Sequence, residues 1–374
     1  WNDSNIFADS SVNSLSNCPL SPDTDIVYWS EHYKRYFLSP IKEVYARKEK
    51  REGKDFIIKV LSNGKEINCK INKFNEIPDY EIELVNGAKI RTTANHLNKT
   101  FKQKEVRTKD LTVNDYLPYG LHKFKNNDSL TYEEGKIVGA FLGDGSYSQN
   151  GITLSLHSET DRNFMDWLQE YIPRKFGGIC IEDTLTSNLS SQKKCVNFRI
   201  QSPYLLGLVK QYVVGDSALE KEINLRALNT STDFRQGIID GWYQTDGGNN
   251  NRIYSTSIKL IKTMTVIFSS LGIVTRINTD ERENRLGNNP VYTLRFYSPG
   301  DRKKLKDVYI IDDDFMWIKI KSITRVASRA TTSYCLEVQD DVEPIFMLGN
   351  GILTHNCRLK SNIEDLGFFS SIGG

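Results

Sequence analysis

The sequence predicts a mainly β fold interrupted by an α/β domain, and three observations carry that expectation. Short alternating or β-rich runs separated by Gly, Asn and Lys turns fill residues 25–118. Residues 136–310 then alternate helix-like with β-like segments, the texture of an α/β unit. After about residue 313 the strand-like texture returns. A β region split by an insertion, not a repeated one, accounts for all three.

Taken in order, residues 1–18 are polar, rich in Ser and Asn, and too aperiodic to fold alone. DIVYWS, FIIKVLS, YEIELVNG and AKIRTT read as strands of an all-β meander that runs to about Pro118. The charged, turn-rich LHKFKNNDSLTYEE reads as a linker, which sets a boundary near 125. Beyond it, KIVGAFLGDG, NFMDWLQEYIPRKF, FRQGIIDGWYQ and SIKLIKTMTVIFSSLG carry helical periodicity, and GITLSLH, CVNFRIQ, GIVTRIN and VYTLRFY read as strands. WIKIKSITRVA, SYCLEVQ and FMLGNGILTHN complete the β region. The expected organisation is an N-terminal flank 1–18, a first β part 19–125, an insert 126–312, a second β part 313–356 and a C-terminal flank 357–374.

Composition narrows the class. With 374 residues, the chain exceeds the roughly 250 at which single cores stop growing. A formal charge of +2 leaves any nucleic-acid surface to local patches. Six cysteines without CxxC spacing argue against a disulfide framework or structural zinc, and suggest a reducing, cytoplasmic setting. No apolar run approaches the ~20 residues of a membrane span, so no membrane partner is expected. The start, without a Met or a signal peptide, reads as a piece of something longer.

Four motifs follow in order: PLSPDTD from Pro19, RTTANH from Arg91, YCLEV from Tyr334, and NGILTHNC from Asn350. Together they resemble the splicing blocks of inteins, which implies a horseshoe-like Hint fold and self-excision of residues 19–356 with no cofactor. The chemistry fits the residue types. Rejoining peptide flanks without hydrolysis requires a nucleophile that turns an amide into a thioester, and a Cys thiolate does this best. His96 suits protonation of the departing nitrogen, and Thr93 with nearby backbone N–H groups suits the strained amide and its oxyanion. Asn356 can cyclise onto its own carbonyl with His355 as proton donor, and Cys357 is the acceptor that carries the upstream segment.

Aligning PLSPDT on its Asp and Thr makes Pro19 the first residue of the element, where the family places Cys or Ser. Proline is no nucleophile. The Cys18–Pro19 bond is then attacked by Cys335 or directly by Cys357; a third reading makes Cys18 the first residue, and an engineered block at Pro19 is a fourth. Cys335 resembles the internal nucleophile of less common inteins, which pair it with a Thr before the penultimate His, here Thr354. Those relatives carry a Trp where this chain has Asn98. A buried, inert Cys335 is the competing reading. The tertiary amide before Pro19 also pays only about 0.5–1 kcal/mol to be cis, so a cis or twisted junction is expected to be cheap.

In the insert, GAFLGDG (Gly139–Gly145) and GIIDG followed by WYQTDG (Gly237–Gly247) carry glycines four apart. That spacing lets two helix backbones approach closely. Each helix ends in Asp–Gly, with the Gly suited to a left-handed C-cap. The pair resembles the motifs of LAGLIDADG homing endonucleases, implying a pseudo-twofold α/β saddle on double-stranded DNA at the host gene's uninterrupted site. Asp144 and Asp246 would share Mg²⁺ for phosphodiester cleavage. Lys193, Lys194, Arg199, Arg276 and Arg295 are candidates for DNA contact, and each reads equally as a solvated strand face.

Joining residue 18 to 357 gives a stretch resembling ribonucleotide reductases, an anaerobic type, so the flanks are expected to be host segments acting in cis on a monomer. Competing classes are a freestanding LAGLIDADG endonuclease, a hedgehog-like autoprocessing domain and a non-catalytic DNA-binding module.

Overall fold

The computed structural model describes residues 19–62, 65–102, 105–120, 129–184, 194–280, 289–297, 309–312, 315–340 and 342–355. Cys18, Lys193, Asn356 and Cys357 lie outside the described residues, as does the Cys18–Pro19 bond. No helix of the described residues is long and apolar enough to cross a membrane.

One five-stranded antiparallel sheet runs in the order Arg35–Pro40, Asp25–Ser30, Ile57–Ser62, Lys65–Phe74, Ser333–Val338. It joins the two distant parts of the β region at its edge, where Cys335 lies opposite Asn72. A second sheet does the same: Met316–Arg325 pairs with Tyr80–Leu84 and with Tyr116–Tyr119. The strand Tyr309–Ile311 pairs with Ile318–Met316, so the return to the β body is under way before residue 313.

The all-β expectation for residues 25–118 is corrected by helix α1 (Ile41–Glu52). Its apolar stripe is narrow, only Ile41 and Val44 being buried. Straight-chain residues and the i,i+4 pairs Arg47–Glu43 and Lys48–Glu52 support it instead.

The insert repeats one pattern twice. Helix α2 (Tyr132–Asp144) leads into strands Gly145–Ser148 and Gly151–His157, helix α3 (Arg162–Phe176), and strands Ile179–Thr184 and Cys195–Gln201. Helix α4 (Pro203–Tyr212) intervenes, and then helix α5 (Thr232–Asp246) leads into Gly247–Gly248 and Arg252–Ser255, helix α6 (Ile258–Ser269), Val274–Asp280 and Val291–Tyr297. Both four-stranded sheets share the order first, second, fourth, third. Part of the expected linker is helical: Thr131 and Glu134 form a capping box that starts α2 at Tyr132.

Helices α2 and α5 meet along a glycine seam. A Cβ on Gly139 would overlap the Ile238 carbonyl, and one on Gly241 the Lys136 carbonyl. The left-handed cap expected after each Asp is not formed: Gly145 has φ −88° and Gly247 φ −75°, and both enter strands directly. Glycine is required there by crowding, since a Cβ at 145 would overlap the Phe141 ring.

The insert's core continues into the β body. Val27, Tyr36, Leu61, Met347 and Leu353 belong to the same buried cluster as Phe141, Phe234, Trp242 and Phe268. Lys262 of α6 also pairs with Asp25 at 2.7 Å.

Candidate active sites

The first site forms where the two parts of the β region cross. Leu20 is pinned on both sides: its N–H donates to Tyr334 O at 2.7 Å and its carbonyl accepts from Tyr334 N, while a bridge on its other side reaches Thr92. The residue following Pro19 is thus held between the neighbours of Cys335 and Thr93. Thr93 is buried, and its hydroxyl has no hydrogen-bond partner among the described residues. His96 is fully buried, and its Nε2 lies 2.8 Å from the Thr354 hydroxyl.

Cys335 is also buried, packed by Phe74 and by Leu97, the residue after His96. Among the described residues Cys69, Cys180, Cys195 and Cys335 form no disulfide. Burial pushes the Cys69 thiol up and raises Cys180 to about 11, which suits inert packing residues. His355 Nε2 stands 3.2 Å from Glu105, a carboxylate the sequence reading did not single out. It missed Thr108 as well and marked Asn98 only as a departure from the resemblance; both tie down the His96 backbone.

The second site lies at the C-terminal ends of α2 and α5. A Cβ on Gly143 would sit 3.0 Å from an Asp246 carboxylate oxygen, so the seam delivers Asp246 against the end of α2. Desolvation raises Asp144 to about 6. Desolvation together with the Asp144 charge raises Asp246 to about 7, against a hydrogen bond from Trp242 Nε1 at 3.0 Å. Lys221, buried and close enough to feel both carboxylates, donates to the carbonyls of Phe141 at 2.8 Å, Gly143 at 3.2 Å and Gly145 at 2.7 Å. Desolvation lowers its ammonium to about 8, opposed by both aspartates. A lone Lys in a loop carries no sequence signal, which is why it was missed. The donor set fits a hard dication: two carboxylates whose paired charges the fold penalises would be relieved by one.

The arginine and lysine candidates divide. Lys194 pairs with Glu159 at 2.8 Å and Arg199 with Asp183, both exposed. Arg276 and Arg295 face each other across their strands, and Arg295 also faces Arg252, giving a row of three like charges. The Nε atoms of Arg276 and Arg295 are buried without a hydrogen-bond partner among the described residues.

The family model described as the intein splicing domain matches residues 34–356. Transcription initiation factor IIB of Methanocaldococcus jannaschii is 23% identical over 288 residues, covering 74% of this chain. The chain spans 38% of that protein's length. The crystal structure of the PabCDC21-1 intein is similar over 29% of this chain and 76% of its own, with 16% identity and a TM-score of 0.24. The family match extends across both parts of the β region and the segment between them, and the chain belongs to the intein splicing-domain family, a protein-splicing element.

Proposed function

We propose that residues 19–356 excise themselves and ligate segments 1–18 and 357–374, with Cys335 as the first nucleophile. The bond between His96 and Thr354, beside a Leu20 pinned next to Cys335, is the observation that carries this reading. Cys335 Sγ attacks the Cys18 carbonyl carbon; a C–S bond forms as the C–N bond to Pro19 breaks. The Pro19 nitrogen takes its proton from His96, and the Thr93 hydroxyl, which has no partner among the described residues, is available to the oxyanion. Cys357 Sγ then takes the acyl group by thioester exchange. Asn356 attacks its own carbonyl through its side-chain nitrogen and becomes a succinimide, with His355 protonating the leaving amine of Cys357. That amine displaces the thioester sulfur to leave a peptide bond.

We further propose that residues 126–312 form a LAGLIDADG endonuclease acting on double-stranded DNA, and that the flanks derive from a ribonucleotide reductase. The glycine seam and the paired aspartates support the nuclease. Asp144 and Asp246 would hold Mg²⁺, which supplies Lewis-acid activation of water and stabilises the leaving oxygen. Lys221 holds the end of α2 and its aspartate in register. The row Arg252, Arg295, Arg276 suits phosphates, because like charges directly opposite on a sheet are costly without an anionic partner.

Expression of the full chain followed by mass measurement tests splicing. Ligated flanks plus a free element of residues 19–356 are expected, and an intact chain would overturn the reading. Full splicing by Cys335→Ala would instead assign the first attack to Cys357. Cleavage of duplex DNA in Mg²⁺, abolished by Asp144→Asn, tests the nuclease against a binding-only module.

A further inference from the structure

We propose that Asn98 is a positioning residue for His96, a role resting on the splicing reading above. Asn98 sits in a ladder only two residues long, Leu97 opposite Arg107 and Asn98 opposite Val106. So short a ladder cannot by itself fix the chain that carries His96. Asparagine is also disfavoured in strands, and a buried amide is costly unless its hydrogen bonds are made. At this position the donor side of the amide is satisfied. Asn98 is 4% exposed, and its Nδ2 donates to His96 O at 3.1 Å, to Val106 O at 3.3 Å and to Thr108 Oγ1 at 3.0 Å.

The other donors converge on the same carbonyl. Thr108 N donates to His96 O at 2.9 Å and Thr108 Oγ1 reaches it at 3.3 Å, while Thr108 Oγ1 also bonds the Thr92 hydroxyl at 2.9 Å. Three donors on one carbonyl restrain the setting of the His96 backbone. That setting aims the imidazole Nε2 at Thr354. Thr92, in turn, is the residue bridged to Leu20, so the Asn98 amide belongs to a chain of bonds running from the pinned junction segment to His96. An aliphatic side chain at 98 would free the carbonyl from one of its ties.

The test uses the full chain carrying Asn356→Ala and Cys357→Ala, which holds it before acyl transfer and ligation, with dithiothreitol as the thiol that releases segment 1–18. Asn98→Leu is expected to slow that release about 10- to 100-fold. It is also expected to shift the His96 imidazole signals in ¹⁵N-histidine spectra, assigned through His96→Ala among the five histidines, with the melting temperature and the other histidine signals preserved. Parental release, or slowed release with unmoved His96 signals, would overturn the proposal. Should Asn98→Leu fail to fold, Asn98→Asp keeps the size, removes the donor amide and carries the same expectation. Retained release by His96→Ala would fault the splicing reading instead.

Discussion

The His96 imidazole and the Thr354 hydroxyl are bonded at 2.8 Å across 258 residues of sequence, both of them buried. That bond ties the two parts of the β region together inside the protein. Thr354→Val keeps the shape and removes the partner, leaving a buried ring nitrogen short of a bond at a cost of about 1–3 kcal/mol. Splicing is expected to slow roughly tenfold or more by that measure, read as ligated product against precursor over time. Parental kinetics in Thr354→Val would show that the bond is structural only.

The aspartate pair makes stability depend on pH. Both carboxyls titrate above their ordinary value of 3.8 in the folded chain, to about 6 for Asp144 and about 7 for Asp246. Between pH ~4 and ~7 the folded state therefore keeps protons the unfolded chain has lost, and stability falls as pH rises. Asp246→Asn, which can still accept from Trp242, is expected to gain about 1–3 kcal/mol at pH 7.5 and almost nothing near pH 4. Thermal melts at the two pH values check this. Added Mg²⁺ should raise the melting temperature of the parent at pH 7.5 and leave the variant's nearly unchanged.

The seam between α2 and α5 admits no side chain at Gly139, because what a methyl meets there is the Ile238 backbone, which cannot rotate away. Gly139→Ala is expected to destabilise the insert by about 3 kcal/mol or more, since overpacking against backbone exceeds the usual range. Urea unfolding should show it, and DNA cleavage should be lost with it. An unchanged midpoint would mean that the helices are further apart.

Replacing Arg252, Arg276 and Arg295 by Gln, one at a time, is expected to weaken binding to duplex DNA without a preference for sequence. Each change should reduce the slope of log affinity against log salt by about 1. Titrations at several salt concentrations measure it. The ion-paired Arg199 should change that slope less.

Much of this organisation was legible from local pattern. The order of RTTANH, YCLEV and THNC, the glycines four apart and the strand-like runs all show in single windows of sequence. Helix α1 was hidden because its stability comes from charged straight-chain residues, not an apolar period. The extended Gly145 was misread because Asp–Gly is ambiguous between a turn and crowding, and only the Phe141 ring decides. Lys221 and Glu105 act through partners far along the chain: Lys221 reaches Phe141 across 80 residues and Glu105 pairs with His355, so their signal exists only after folding. Asn98 is the instructive case, since a departure from the resemblance marked the position while its bonds to His96 and Thr108 were invisible.

The shared core of insert and β body carries a practical corollary. Trimming out residues 126–312 would bare the greasy sides of Val27, Tyr36, Leu61, Met347 and Leu353, which now shelter in one cluster with Phe141 and Phe268. A miniaturised version must have that newly wetted face repainted with polar side chains, or it will clump before it can react.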